Sequence, residues 1–365
     1  MSKFVFVLGA GASADSGAPT SNNFMDRAES FLGDTSLGGH DRDAFELVFK
    51  ARNKLKDVLS KATLDLDNLE VLFNAFEMAA LFNRLGDLAT DDVRSLPGAM
   101  RRVIARTIER SQIFPLESAG YRVRTPAAPL SYSRFAALVE QFSSNKPSSV
   151  SVLTFNYDLA LDLALSSDGA RGIPFDYALE EASSGKLELL KLHGSLNWHR
   201  CKCEENIGVC QFEELFEGQL YRPIGAEDQC FIECSLQQPV RQHCAKQYDL
   251  EPFIIPPTWN KGHHHSQLSN VWRRAARHFS EAEYIFLVGY SYPLSDEFFR
   301  YLYALGSVGD SWLKQILVFN PDGDVNQRIR GLLGPLVAKK FVFDTRPFGQ
   351  AIPYLAQDWY GKLKS

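Results

Sequence analysis

The chain has 365 residues, of which 45% are hydrophobic, and its 39 Lys and Arg residues against 44 Asp and Glu residues give a net charge of −5. This length and composition fit one large α/β domain with insertions, or two small domains. The acidic balance excludes a general attraction for nucleic acid, and no apolar run reaches the roughly 20 residues of a membrane span. The first predicted strand begins close to the first residue and leaves no room for a signal peptide, so we expect a cytoplasmic protein.

That first predicted strand, residues 3–8, ends in a loop of small residues that includes Gly9, Ala10, Gly11, Ser13 and Ser16. Glycines let the backbone approach phosphates closely, and the N–H groups of a helix start attract an anion. We therefore interpret the loop as a pyrophosphate cradle that opens a helix. It lacks the three-glycine dinucleotide fingerprint and the Lys-Ser/Thr pair of a Walker loop, so a glycine-rich turn without a ligand is the alternative.

Short apolar runs further along the chain predict the other strands of a sheet. They are residues 150–155, 187–192, 252–256, 284–289 and 315–320, with 340–343 as an edge strand. Helical patterns lie between several of them. Because near-continuous apolar strands that alternate with helices are typical of parallel sheets, the predicted fold class is α/β with helices on both faces of the sheet.

Two stretches interrupt the alternation and are predicted as separate modules. Residues 36–145 carry apolar residues at helical spacing without a clear core strand, which indicates a helical insertion. Residues 199–250 are rich in cysteine and acidic residues and form a small subdomain. The core then comprises residues 1–35, 146–198 and 251–350, and residues 351–365 form a C-terminal tail.

The helical insertion carries two predictions about its surface. We interpret one group of arginines as a solvated face, with a partner or nucleic-acid surface as the alternative: Arg101, Arg102, Arg106 and Arg110. Some apolar residues exceed what one buried face requires, notably Phe73, Phe76, Leu81 and Phe82. We therefore expect a homo-oligomer in which the insertion makes contacts and gates the pocket. The alternative is that these side chains pack among themselves in a closed helical subdomain.

All six cysteines fall within residues 199–250. In a reducing cytoplasm such clustering indicates metal ligation more than disulfides, although zinc sites favour C-x₂₋₄-C pairs and the spacing here matches only in part. The candidate zinc ligands are Cys201, Cys203, Cys230 and Cys234, with His243 as a further one. The alternative is a module of free or buried thiols that has lost its metal.

Polar residues follow several predicted strands, at the edge where ligands of open α/β sheets bind. The run 150–155 contains Thr154 and leads into Asn156 and Asp158, and this pair caps the next helix, serves a site, or does both. His193 ends the run 187–192 and is well placed for proton transfer near neutral pH, with a purely structural histidine as the alternative. Candidate contacts to phosphate, ribose or adenine follow the last two core runs at Gly289, Ser291 and Asn320.

In their order along the chain, these segments resemble the sirtuin-like superfamily. The motifs are GAGASADSGAP at 9–19, TFNYD at 154–158, KLHGSLNW at 191–198, IIPPTW at 254–259, GYSYPLSD at 289–296 and FNPD at 319–322. The two insertions fall where the family has a helical module and a zinc module. More narrowly, the chain is similar to the bacterial sirtuin-like NAD hydrolases of antiphage defence.

The resemblance implies a Rossmann-like sheet with an NAD site at its carboxyl edge. It implies that His193 acts as base on the ribose, and that Asn156 and Asp158 place the nicotinamide ribose and the attacking water. The implied cofactor-binding residues are Gly9, Ala10, Gly11, Ser13 and Ser16 at the pyrophosphate, Thr154 beside them, and Gly289, Ser291 and Asn320 on the adenosine side. NAD⁺ is then the substrate, and its cleavage passes through an oxocarbenium-like state that the site must stabilise.

One departure from the family bears on the nucleophile. Deacetylating sirtuins continue from the Gly-Pro turn with an acidic residue, Phe and Arg, whereas here Pro19 leads to a displaced Phe24 with no arginine directly after it. This favours water as the nucleophile. We predict an NAD⁺ glycohydrolase that makes ADP-ribose and nicotinamide and acts in antiphage defence, as abortive infection by NAD depletion.

Two other functions stay open from the sequence. One is an NAD-dependent protein deacylase or ADP-ribosyltransferase, and the other is a non-catalytic module that binds NAD or ADP-ribose and regulates a partner. Partners in resembling systems include a DNA-translocating ATPase or a short Argonaute, and nothing in the sequence selects one. We expect no membrane partner and find no strong signal for direct nucleic-acid binding.

Overall fold

The computed structural model describes residues 2–58, 63–119, 123–144, 148–166, 172–181, 185–203, 206–225, 228–239, 244–256, 267–292, 297–306 and 312–364. The strands within these residues are β1 (Ser2–Leu8), β2 (Phe114–Ala119), β3 (Val123–Pro126), β4 (Ser148–Thr154), β5 (Phe175–Asp176), β6 (Leu187–Lys191), β7 (Trp198–Arg200), β8 (Ile207–Val209), β9 (Tyr221–Pro223), β10 (Gln229–Ile232), β11 (Tyr284–Val288), β12 (Gln315–Phe319) and β13 (Phe341–Asp344).

The α-helices within the same ranges are α1 (Phe24–Glu29), α2 (Gly39–Val58), α3 (Leu69–Phe82), α4 (Thr90–Ser111), α5 (Leu130–Ser143), α6 (Ala160–Ser166), α7 (Phe212–Glu217), α8 (Ser269–Glu281), α9 (Glu297–Gly306), α10 (Asp324–Arg330), α11 (Pro335–Ala338), α12 (Phe348–Tyr354) and α13 (Tyr360–Lys364). A π-helical turn, Leu355–Trp359, joins the last two. As far as the chain is described, each helix is too short or too polar to cross a bilayer.

Seven strands form one parallel sheet in the order β13-β12-β11-β1-β4-β6-β5. From the central strand β1 the chain first builds β4 and β6 on one side, and later returns to build β11, β12 and β13 on the other. The strand order therefore reverses between β1 and β11. The predicted α/β fold class and the predicted edge strand at 340–343 are confirmed.

The predicted strand at 252–256 is wrong. This segment is buried and apolar, but it joins no sheet and makes a single isolated bridge between Ile254 and Gly194. Pro252 and Pro256 flank it, and a proline cannot donate the N–H that a ladder needs. The segment instead crosses the turn after β6, where the Ile255 N–H donates to the carbonyl of His193 at 2.8 Å. The short strand β5 takes the edge of the sheet.

Both faces of the sheet are covered, as the apolar strands require. Phe4 and Phe6 of β1 pack on one face, in a cluster that includes α5, α12 and the helical insertion, and Val5 and Val7 pack on the other, against α8, α9 and α10. The side chains of a strand alternate between its two faces, so β1 contributes to both cores. As far as residue 364, the segment predicted as a tail instead forms the end of α12, the π-helical turn and α13, and its Leu355 and Tyr360 are buried in the first of these cores.

Within the described residues, the predicted insertion at 36–145 contains the helices α2, α3, α4 and α5, and also the strands β2 and β3. Phe73 and Phe76 are fully buried in α3, whereas Leu81 and Phe82 at its end are about two-thirds exposed. Strands β2 and β3 follow α4 and pair with each other, and β2 also pairs with β10, which pairs with β9, so the sheet order is β3-β2-β10-β9. The insertion and the Cys-rich subdomain therefore share one small sheet.

The predicted solvated face of arginines on α4 is corrected by the structure. Arg106 is 3% exposed and its guanidinium contacts the carboxylates of Asp41, Glu109 and Glu233 at 2.8, 2.6 and 2.9 Å. Arg110 is also buried and shares Glu233 at 3.2 Å. Isolated buried charges are very costly, so these residues are retained inside because each has several partners. The cluster ties α4 to the Cys-rich subdomain.

Candidate functional site

The predicted site residues come together at the carboxyl edge of the large sheet. The strands β1, β4, β6, β11 and β12 are parallel neighbours, so the residues that follow them lie along one edge. These residues are the loop from Gly9 to Ser16, Thr154, Asn156, Asp158, His193, Gly289, Ser291 and Asn320. The edge includes the point between β1 and β11 where the strand order reverses, which is where open α/β sheets bind ligands.

The glycines of this edge are required by close packing of two loops on each other. The Gly11 N–H donates to the carbonyl of Gly289 at 2.9 Å, and a Cβ on Gly11 would lie 2.9 Å from the Gly289 Cα. Gly289 has a φ of +64°, and a Cβ there would lie 2.4 Å from the Ala12 nitrogen. Any larger residue would push the loops apart. Contact between protein backbones, rather than room for a ligand alone, accounts for both glycines.

The prediction that this loop opens a helix is corrected. Residues Ala10–Ala12 and Ala14–Ser16 form two 3₁₀ turns, and the first α-helix begins only at Phe24. The N–H groups of Gly9, Gly11 and Ser13 donate to protein carbonyls. The hydroxyl of Ser16 also has protein partners, since it donates to the Ser13 carbonyl and accepts from Gln112. The N–H groups of Ala12 and Ser16 also donate to protein carbonyls, so few amides of the loop are left for an anion.

Ser13 lies at the centre of a buried hydrogen-bond network between the glycine loop and the end of β4. Its hydroxyl donates to Asp158 Oδ2 at 2.7 Å and lies 2.7 Å from the hydroxyl of Tyr132. Asn156 Nδ2 donates to both Ser13 Oγ and the Gly9 carbonyl at 3.0 Å. Asp158 Oδ1 accepts from the Ala160 N–H and so also caps α6. Capping and membership of the site coexist, as the sequence allowed.

His193 lies in the turn after β6, against the segment that carries Asn156 and Asp158. It is 6% exposed, and its ring centroid lies 5.0 Å from that of Phe155 and 6.3 Å from that of Tyr157. The segment after β4 thus alternates: its two aromatic residues pack against the imidazole, and its two polar residues bond to the glycine loop. One short segment therefore joins the predicted base to the predicted polar pair.

Two charged residues that the sequence analysis left unassigned form an ion pair that bonds to the backbone of this segment. Lys191, fully buried at the end of β6, donates to the Asp158 carbonyl at 2.6 Å and to Asp162 Oδ2 at 2.9 Å. Asp162 also accepts from the Tyr177 hydroxyl at 2.6 Å. A lysine directly after the apolar pair Leu189–Leu190 was the one sequence signal for this pair. It fixes the backbone on which Asp158 stands.

On the other side of the switch point, the predicted adenosine contacts hold their own loops in place. Asn320 Nδ2 donates to the Tyr290 carbonyl at 3.2 Å, and its Oδ1 accepts from the Asp322 N–H at 2.9 Å. Thr154 is used in the same way, because its hydroxyl donates to the Leu8 carbonyl and accepts from the Asn156 N–H. Ser291 is half-buried beside Tyr290. The side chains of Asn320 and Thr154 therefore hold the loops at the sheet edge in place, and these hydrogen bonds use the polar atoms that a ligand would need.

The six cysteines separate into three whose sulfur atoms converge and three that lie outside that group, Cys210, Cys230 and Cys234. Cys201, Cys203 and Cys244 bring their sulfur atoms within 4.8 Å of one another, which suits the roughly 3.8 Å sulfur separations of a tetrahedral zinc site. Although the Cys203 N–H lowers it, burial and the adjacent thiols raise the pKa of Cys201 to about 11. Bound zinc would deprotonate such thiols. His243, a further candidate ligand, lies outside the described residues.

Cys230 and Cys234 do not join this group, so their prediction as partners of Cys201 and Cys203 is corrected. Cys230 is buried in β10, where burial raises its pKa to about 12. Cys234 is also buried and donates its S–H to Glu109 Oε1 at 3.3 Å. The chain folds the segment that carries Cys244 back onto β7. Cys244, which is distant in sequence, therefore lies beside Cys201 and Cys203, where the spacing had predicted Cys230 and Cys234.

A cavity of about 1110 Å³ opens elsewhere, between the end of α6, β5 and the β7–β8 hairpin. Its wall carries the carboxylates of Asp176, Glu180, Glu213 and Glu214, and no lysine or arginine lines it as far as the chain is described. A dinucleotide diphosphate would be repelled there. The sheet edge, where the loops and polar residues converge, is therefore the better candidate site for an anionic cofactor.

No protein-family model matches the chain, and no curated protein matches it either. Among solved structures, it is similar to a Sir2 homologue in complex with NAD, at 16% identity and a TM-score of 0.40, over 99% of this chain and 90% of that one. A Sir2 homologue mutant in complex with ADP-ribose gives 15% identity and a TM-score of 0.40, over 99% and 93%. With TM-scores below 0.5, these likenesses carry no conclusion about function, which is taken from the site itself.

Proposed function

We propose that the chain is an NAD⁺ hydrolase that cleaves the nicotinamide–ribose bond. The observation that carries the proposal is that three features lie along one edge of a parallel sheet, beginning at its switch point: the glycine-rich loop after β1, the Asn156–Asp158 pair after β4, and His193 after β6. Dinucleotides bind at such switch points, and bond cleavage at the ribose needs a polar group and a base beside it. The motif resemblance to sirtuin-like proteins agrees with this assignment.

The proposed reaction consumes one water molecule. The water oxygen bonds to C1′ of the ribose, and the bond from C1′ to the nicotinamide nitrogen breaks, with its electron pair leaving on neutral nicotinamide. The proton lost by the water passes to His193 and then to solvent. Asn156 Oδ1 accepts a hydrogen bond from the water or from a ribose hydroxyl, and so holds the nucleophile near the developing positive charge.

The surroundings of His193 suit a proton acceptor. The rings of Phe155 and Tyr157, from the segment after β4, pack against the imidazole of His193. The Ile255 N–H donates to the backbone carbonyl of His193 and fixes its backbone. An imidazole held in this way keeps one orientation, which a base needs if it is to accept the proton of the attacking water in a fixed geometry. A purely structural histidine would contribute packing and take no part in proton transfer. The effect of a His193 substitution on nicotinamide release tests which of the two roles it has.

Incubation with NAD⁺ and chromatography of the products tests the proposal and its alternatives together. A hydrolase yields nicotinamide and ADP-ribose without any added acceptor. A deacylase yields nicotinamide only with an acylated peptide, an ADP-ribosyltransferase yields a modified protein, and a binding module leaves NAD⁺ intact. His193→Ala should abolish nicotinamide release, and His40→Ala, which replaces an exposed histidine of α2, should not.

The proposal extends to a role and a metal. We place the activity in antiphage defence by NAD depletion, on the strength of the motif resemblance, and expect control by a homo-oligomer or a partner protein, because an unregulated hydrolase would drain the cell's NAD. We assign a structural zinc to Cys201, Cys203 and Cys244, whose convergent sulfur atoms support it. Zinc there would hold the β7–β8 hairpin and takes no part in the cleavage.

A further inference from the structure

Tyr132, at the start of α5, brings a buried hydroxyl to the network around Ser13. The residue is 1% exposed, and its hydroxyl lies 2.7 Å from Ser13 Oγ and 3.5 Å from Asn156 Nδ2. Its ring packs against Phe348, with centroids 5.0 Å apart. The ring therefore contributes to the core, and the hydroxyl reaches the candidate site.

The direction of the hydrogen bonds around Ser13 follows from its partners. A serine hydroxyl has one proton, and Ser13 donates that proton to Asp158 Oδ2. The bond between Ser13 and Tyr132 must then be donated by Tyr132. Burial and the charge of Asp158 raise the pKa of Tyr132 well above its usual value, so the phenol keeps its proton at neutral pH. Protons thus point from Tyr132 to Ser13 and from Ser13 to Asp158.

The same network fixes which way the Asn156 amide faces. The Gly9 carbonyl can only accept, so the Asn156 atom 3.0 Å away is the NH₂ group and not the oxygen. Its second hydrogen is directed to Ser13 Oγ, which Tyr132 and Asp158 hold in place. Oδ1 then faces away from the network, and among the described residues no donor contacts it.

We propose that Tyr132 is a positioning residue for the hydrolysis: through Ser13 Oγ it holds the Asn156 amide with Oδ1 toward the ribose and the attacking water. The inference rests on the proposed function. It adds to the site a residue from α5, far in sequence from the glycine loop and from β4, whose hydroxyl lies against Ser13 and Asn156. Because the contact runs through one hydroxyl, the ring can stay while the positioning is removed.

The test is Tyr132→Phe, with Tyr360→Phe as the matched control. Tyr360 is also buried, and its hydroxyl donates to the Gln141 carbonyl at the other end of α5 at 3.4 Å. Loss of one buried hydrogen bond that orients a reacting group should lower kcat of Tyr132→Phe by about tenfold, with KM changed less than about twofold. Tyr360→Phe should keep the wild-type kcat, and both variants should keep similar melting temperatures.

A double-mutant cycle with Ser13→Ala separates positioning from packing. Since Tyr132 acts through Ser13 Oγ, adding Tyr132→Phe to Ser13→Ala should lower kcat no further. Full additivity, or an unchanged kcat in Tyr132→Phe beside an active wild type, would overturn the inference and leave the hydrolase assignment standing. Absence of nicotinamide release by the wild type would overturn both.

Discussion

Glu233 holds together the buried ionic cluster that joins α4 to the Cys-rich subdomain, and replacing it with glutamine tests how much that cluster contributes. Its side chain is 4% exposed, and it accepts from Arg106 at 2.9 Å, from Arg110 at 3.2 Å and from Arg222 at 2.9 Å. Glu233→Gln keeps the shape of the side chain and removes its charge. Two buried guanidinium groups then lose a carboxylate partner.

The expected loss is set by the buried partners. Removing one member of a buried ion pair costs roughly 3–5 kcal/mol of unfolding free energy, because the other charge stays buried. Arg106 keeps Asp41 and Glu109, and Arg110 keeps Asp34, so the loss should fall at the lower end, about 3 kcal/mol. The bond to Arg222, whose side chain is 63% exposed, adds less than about 1 kcal/mol.

The effect should depend on pH with a defined sign. Burial disfavours the ionised form of Glu233, but the charge of Arg106 and hydrogen bonds from Arg222 and Arg106 outweigh it and hold its pKa below the usual 4.5. A carboxyl whose pKa is depressed on folding contributes its stability above the unfolded pKa and loses it as the pH falls through the folded pKa. The gap between wild type and Glu233→Gln should therefore be constant near pH 7 and shrink below about pH 4.5.

Urea unfolding followed by circular dichroism, at pH 7 and in steps below pH 5, measures both effects. Asp228→Asn is the matched control, since it removes an exposed carboxylate paired with Arg124, with side chains 74% and 44% exposed. The control should lose less than about 1 kcal/mol. If Glu233→Gln loses no more than the control, the cluster is not a source of stability and the reasoning fails.

Three further predictions concern the metal, the glycine loop and the assembly. Elemental analysis should find about one zinc per chain, with Cys244→Ser losing it and Cys230→Ser keeping it; equal zinc content in the two variants would contradict the assignment. Gly11→Val should lower both the melting temperature and NAD⁺ affinity by calorimetry, since its Cβ meets the opposing loop; an unchanged melting temperature would contradict this packing. Light scattering should show an oligomer that Phe82→Asp dissociates with a change in NAD⁺ turnover, and a monomeric wild type would exclude it.

The sequence predicted the parallel sheet because each of its inner strands is a nearly continuous apolar run, which only a sheet covered on both faces buries. It also placed the polar strand ends at one edge, since parallel strands end together. The segment 252–256 misled this reasoning, because its apolar residues are buried against the turn after β6 and not in a ladder. Composition alone does not distinguish the two kinds of burial.

The contacts of the site were harder to predict. Tyr132 belongs to a helix with an ordinary apolar face, and nothing local indicates that its hydroxyl meets Ser13. The arginines of α4 carry a pattern typical of a solvated face, and only the fold shows that Arg106 meets Asp41 and Glu233, from distant parts of the chain, as well as Glu109 of its own helix. Long-range pairing of this kind leaves no period in the sequence.

The most direct test of the hydrolase assignment is the turnover of NAD⁺ by His193→Ala, measured as nicotinamide released without any acylated peptide. The wild type should release nicotinamide and ADP-ribose in equal amounts. Loss of the base should lower kcat by about 10²–10⁴-fold, while NAD⁺ affinity by calorimetry largely survives, because His193 is not proposed as a pyrophosphate contact. If His193→Ala keeps more than about a tenth of the wild-type kcat, the assignment of His193 as base is wrong.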